Sequence, residues 1–172
     1  MKRVIYLIAI VLTASLLLSS LVGCALLEKK KVFSCEELAF NLDLGYFKVD
    51  ASDKGYDAAY TSARSKLMLF LMRETFEDLK DTVMSKNDSV YKYAEEVYKI
   101  LEDADAVLNQ DDRENPYIEF EEEINDEKYT YRIYFKKTDV AFWRIQFAAP
   151  SESWSSYLAD VEDILTSINV LE

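Results

Sequence analysis

Tyr129-Thr130-Tyr131-Arg132-Ile133-Tyr134-Phe135-Lys136 and Ala141-Phe142-Trp143-Arg144-Ile145-Gln146-Phe147-Ala148 each alternate two kinds of side chain. Successive residues of a strand point to opposite faces of a sheet, so a period of two predicts two strands. Tyr129, Tyr131, Ile133 and Phe135 fall on one face of the first, against Thr130, Arg132 and Tyr134 on the other. Trp143, Ile145 and Phe147 oppose Arg144 and Gln146 in the second, and residues 136–139 supply the turn between them. Upstream, residues 117–124 place Ile118, Phe120 and Ile124 on one face, with Asn125-Asp126-Glu127-Lys128 as the next turn. Three strands joined by short turns read as an antiparallel meander.

The flanks extend this frame. After Pro150, Ser151 and Ser153 are predicted to cap a last helix on which Leu158, Val161, Ile164, Leu165 and Ile168 form one apolar stripe. Phe76, Leu79, Val83 and Met84 fall at helical spacing, as do Val90, Ala94, Val97 and Leu101. Two helical pieces are expected there, the second capped by Asp88 or Ser89. Residues 104–116 read as a polar loop with a short strand around Val107. Residues 67–72 are continuously apolar, as expected of a central strand covered on both faces. Residues 58–63 are extended in character, and residues 32–44 read as a strand carrying Leu38, Phe40 and Leu42 on one side, with turns at Gly45 and Gly55.

The amino terminus differs from the rest. Lys2 and Arg3 precede an apolar run over residues 4–18 broken only by Thr13 and Ser15, and the stretch closes on Leu21-Val22-Gly23-Cys24. This resembles a bacterial lipoprotein signal, in which the cysteine thiol receives a diacylglyceryl group and the chain is cut just before it. An ordinary secretory signal fits less well, because Leu21 and Val22 stand where small residues are usual. An uncleaved helix over residues 4–27 is long enough to cross about 30 Å of hydrocarbon. The expectation is a signal over residues 1–23, lipidation at Cys24, a tether over residues 24–31 and a single domain over residues 32–172. That places the protein on the extracytoplasmic face of the cell membrane, held by an amino-terminal lipid anchor.

The formal charge is −12, and losing Lys2 and Arg3 with the signal makes the body more acidic still. Nucleic-acid affinity rests on neutralising phosphates with Lys and Arg, so no nucleic-acid partner is expected. With Cys24 acylated, Cys35 has no partner for a disulfide and reads as a small apolar residue at the start of a strand.

The sequence contains no histidine, which removes histidine-based nucleophile pairs, histidine general bases and the usual zinc sites. Gly45 and Gly55 are too far apart for a phosphate-binding loop. Ser89-Val90-Tyr91-Lys92 has the serine-lysine spacing of penicillin-binding enzymes, but Lys137-Thr138-Asp139 lacks the glycine of their later motif. Glu119, Glu121, Glu122 and Glu123 read as a solvated face and turn. Asp103, Asp105, Asp111 and Asp112 lack the glycine and closing glutamate of a calcium loop. No catalytic residue, metal site or cofactor is therefore expected. Exposed tyrosine and tryptophan can anchor a partner, and Arg132, Tyr134 and Gln146, on the less apolar faces of their strands, are the candidate partner-binding residues.

Three stretches carry a family resemblance. They are Val-Phe-Ser-Cys-Glu-Glu-Leu-Ala-Phe-Asn-Leu-Asp-Leu-Gly-Tyr over residues 32–46, Leu69-Phe70-Leu71-Met72-Arg73-Glu74-Thr75-Phe76, and residues 131–147. With the order of elements, they resemble small Gram-positive bacterial lipoproteins of PsbP-like fold. The resemblance implies an α+β class: a PsbP-like α/β/α sandwich with a mainly antiparallel sheet and an amphipathic carboxyl-terminal helix. It implies a non-enzymatic accessory protein and carries no site residues. The expected function is a membrane-anchored, non-catalytic binding or accessory module for an envelope protein or cell-wall partner. The alternative is a carboxylate-based envelope enzyme or divalent-cation binder.

Overall fold

The computed structural model describes residues 30–101 and 105–171. The signal, Cys24, nearly all of the tether and Asp103 lie outside the described residues. The strands are β1 (Lys31–Cys35), β2 (Leu38–Leu42), β3 (Tyr46–Val49), β4 (Ala58–Ser62), β5 (Met68–Thr75), β6 (Val107–Gln110), β7 (Pro116–Ile124), β8 (Glu127–Lys137), β9 (Ala141–Pro150) and β10 (Asn169–Val170). The helices are α1 (Val90–Ile100) and α2 (Leu158–Thr166). Seven strands form one antiparallel sheet in the order β3-β4-β5-β9-β8-β7-β6, and β1-β2-β10 form a small second sheet.

The meander follows from its residues. β7 turns into β8 through Asn125 and Asp126 alone, at φ 51° and 64°. Two consecutive left-handed residues are what a two-residue hairpin of matching twist requires, and Asn and Asp tolerate that conformation best after glycine. Trp143, Ile145 and Phe147 of β9 then face one side of the sheet, where Leu69 and Leu71 of β5 join them, all at most 2% exposed. The small sheet covers this face with Leu38 and Phe40, α2 with Val161 and Ile164, and Ile168 joins them between α2 and β10.

On the opposite face, Ile118, Ile133, Phe135 and Phe142 pack against Tyr93, Ala94 and Val97 of α1. Tyr93 stacks on Phe142 at 4.5 Å between ring centroids. Ser89 caps α1, its hydroxyl accepting the Lys92 amide at 3.1 Å. Ser89→Ala is expected to lower stability by about 1 kcal/mol, read as a fall in the thermal midpoint with the folded spectrum unchanged.

Several expectations need correction. Residues 32–44 form two strands, because Glu36, at φ 46°, turns the chain back on itself. Cys35 closes β1 rather than opening a strand, and burial, with Asp57 nearby, pushes its thiol up to about 11. Residues 76–84 are turns rather than a helix: Asp78 accepts the Thr75 amide at 3.0 Å, and Thr82 bonds back to the Leu79 carbonyl at 2.8 Å. Neither Ser151 nor Ser153 caps α2. A 3-10 segment over Ser151–Tyr157 precedes that helix, with Ser151 bonded by Thr130 and Ser153 donating to the Pro150 carbonyl.

The expectation for residues 67–72 is half met. Leu67, Leu69 and Leu71 are fully buried, but Met68, Phe70 and Met72 are only partly covered. α1 packs over β6, β7 and β8 and leaves the β5 side of its face open.

A groove on the half-covered sheet face

That incomplete cover creates the principal candidate site. Beside α1, the exposed part of the sheet forms a groove of about 540 Å³. Phe70 and Met72 of β5, Tyr131 and Ile133 of β8 and Phe120 of β7 line it, and Val97 and Leu101 form the helix side. The walls are preorganised. Phe120 stacks on Tyr131 at 4.9 Å with the rings 6° from parallel, and Tyr56 lies against Phe70 at 4.9 Å. Burial, with Glu122 adding to it, pushes the Tyr131 phenol up to about 12, so it stays neutral.

Lys54 and Glu122 also line this groove, while Arg144 and Gln146 are engaged by neighbours. Arg144 pairs with Glu74, and its Nε donates to the Tyr93 hydroxyl at 2.9 Å, while that hydroxyl donates to Glu74. Burial also raises the Tyr93 phenol, and Arg144 beside it only partly offsets the rise. Gln146 donates to the Tyr56 hydroxyl at 3.2 Å. Such an arrangement holds an apolar or aromatic ligand surface in place; it offers no poised nucleophile.

The residues singled out from sequence do not converge. Gln146 lines this groove, but Arg132 and Tyr134 lie on the other face of the sheet. Tyr134 is 8% exposed within the core beneath α2. Arg132 bonds Glu119 at 2.7 Å, donates to the Tyr134 hydroxyl at 3.2 Å and lies over the rings of Tyr117 and Trp154. Its cation is internally balanced. Tyr56, Phe70 and Met72 were missed because nothing in their local pattern shows how far a helix will reach across a sheet.

Asp111 shapes the β6–β7 turn, accepting the amides of Arg113 and Asn115 at 2.9 and 2.8 Å. Among the described residues, no group of three or more His, Cys, Asp or Glu is placed to hold a metal ion. Asp160 is raised by burial and by Asp43 and Asp163, in a cleft of about 90 Å³, too small for a sugar ring and its neighbours. Glu37 is a structural node: it accepts bonds from Trp143 Nε1, Arg73 Nε and the Thr138 hydroxyl at 3.0 to 3.1 Å.

No family model matches the sequence, and no curated protein matches it. Among solved structures, the chain is similar to the cyanobacterial PsbP protein (CyanoP) of Synechocystis sp. PCC 6803, at 12% identity and a TM-score of 0.50, over 83% of this chain and 91% of that one. It is also similar to a protein of Bacteroides thetaiotaomicron, at 11% identity and a TM-score of 0.54, over 84% of this chain. The chain spans only 48% of that protein's length. The fold is thus the PsbP-like α+β sandwich, with a mainly antiparallel sheet and a carboxyl-terminal helix. At such identities the likeness describes the fold and assigns no activity.

Proposed function

We propose that this is a membrane-anchored extracytoplasmic lipoprotein whose folded domain binds a partner without catalysing a reaction. The observation that carries the binding reading is the groove beside α1, where aromatic and aliphatic side chains form most of the walls and Arg144 is paired with Glu74. The lipid anchor rests on the Gly23-Cys24 junction and the apolar run before it.

A carboxylate enzyme is the competing reading, and the acids beside β7 disfavour it. Glu119 is tied to Arg132, and Lys128 holds Glu121 below the usual carboxylate range. A glycosidase acid must hold a proton near neutral pH, which requires the opposite shift.

Two measurements test the proposal. A palmitate analogue fed to cells is expected to label the native protein and not Cys24→Ser, which moves to the soluble fraction; equal labelling of both would remove the anchor. A photo-reactive amino acid at position 72, in the groove wall, is expected to give one dominant crosslink in intact cells. A diffuse pattern identical to that from a position on the exposed face of α2 would remove the binding reading.

A further inference from the structure

We infer that the cavity beneath α2, with the Lys136 amine on its wall, is a binding site for a small monocarboxylate that has a short apolar body. This goes beyond the groove beside α1: the cavity lies on the opposite face of the sheet, and neither site depends on the other. Its volume is about 190 Å³, roughly six water volumes at ~30 Å³ each. That admits a short-chain acid and excludes a peptide segment or an acyl chain of membrane length.

Three parts of the chain build the cavity. β8 contributes Tyr134 and Lys136 at alternate positions, β9 contributes Ile145 opposite Tyr134, and Leu165 and Ile168 come from α2 and the residues after it. Tyr134, Ile145 and Ile168 are buried members of the core, so the apolar wall is preformed. The β6–β7 turn supplies the remaining side with Asp111, Arg113 and Asn115. Apolar walls with a few placed polar groups are the usual make-up of a small-molecule site.

Lys136 stands on this wall as a partly buried cation. Its Nζ donates to the Ile168 carbonyl at 2.9 Å, just past the end of α2, and makes no ion pair among the described residues. An ammonium has three donors, so serving that carbonyl leaves two to place. Burial holds the amine below the ordinary lysine value. A cation drawn out of water is costly unless an anion meets it there. The two acids on the wall are committed elsewhere: Asp111 accepts the amides of Arg113 and Asn115 and the Asn115 side chain, and Glu162 pairs with Arg113 at 2.8 Å. Asp111, Glu162, Arg113 and Lys136 balance to zero here, in a chain of net charge −12, and Lys136 is the member with no acid of its own. The Arg113–Glu162 pair joins the turn to α2 with both side chains exposed, and such a pair is weak enough to part for a ligand.

The test uses the full-length protein in a neutral detergent, with hexanoate as the probe and hexanamide as its uncharged counterpart. Hexanoate is expected to shift the methyl resonances of Ile145, Leu165 and Ile168 and to leave that of Met72, in the groove beside α1, unmoved. Hexanamide at the same concentration is expected to move none of them. Lys136→Met, which keeps the length of the side chain and removes its charge, is expected to weaken binding about tenfold or more. Leu165→Trp, which fills the cavity and keeps the lysine, is expected to abolish binding with the folded spectrum retained. The comparison of hexanoate with hexanamide needs no substitution, so it decides the matter whatever the variants do to the fold. No shift with hexanoate, equal shifts with hexanamide, shifts confined to Met72, or undiminished binding by folded Lys136→Met each overturns the inference. The crosslink from position 72 reports on the groove alone, so failure of either reading leaves the other standing.

Discussion

Glu37→Ala is expected to destabilise the domain by about 3 kcal/mol, as a lower urea midpoint with little change in slope. Glu37 sits in the tight β1–β2 turn with its side chain 15% exposed, and it ties that hairpin to the main sheet through Trp143, Arg73 and Thr138. Truncation leaves the indole N–H of Trp143, which is fully buried, without its acceptor and removes the carboxylate paired with Arg73. Against a total stability of about 5 to 15 kcal/mol for a domain, that is a large fraction. The same residue sets an acid sensitivity. Burial works against its charge, yet the bonds from Trp143, Arg73 and Thr138 hold its pKa below the ordinary value of 4.5. A depressed folded pKa means that the contribution is complete above the unfolded value and is lost as pH falls through the folded one. Wild type should therefore lose stability below about pH 4.5 more steeply than Glu37→Gln. Parallel profiles would show that Glu37 contributes shape and no charge.

Phe142→Ala is expected to cost about 3 to 5 kcal/mol, the range for deleting a buried aromatic ring from a core that cannot fully collapse. Phe142 is fully buried, stacks on Tyr93 of α1 and meets Phe76 edge-on at 5.4 Å. Its loss loosens the contact between α1 and the sheet, so amides of α1 should exchange faster than those of β5 and β9. Uniform acceleration throughout the sheet and helix would show that the helix has no separate dependence on this ring.

What the sequence revealed follows from what makes a local signal. The meander was legible because β7, β8 and β9 each have two chemically distinct faces, so Ile133 and Arg132, or Trp143 and Arg144, declare their sides by alternation. The turn at Asn125-Asp126 was legible through its chemistry. Residues 76–84 misled because Phe76, Leu79 and Met84 do enter the core, at helical spacing, from an irregular chain held by the Thr75–Asp78 bonds. Apolar spacing reports burial, and the hydrogen bonds decide the backbone. The groove was not legible, since Phe70 and Met72 read as core residues until the position of α1 is known.

The ion pair between Lys30 and Asp163 has a consequence for orientation at the bilayer. At 3.2 Å it places Lys30, the first described residue, beside α2, on the face of the sheet away from the groove. Under the proposed anchor at Cys24, the groove beside α1 and the point where the tether meets the domain would lie on opposite faces of the sheet, so neither would obstruct the other. A lipid attachment of the kind proposed would then leave the groove free to scan the space above the headgroups.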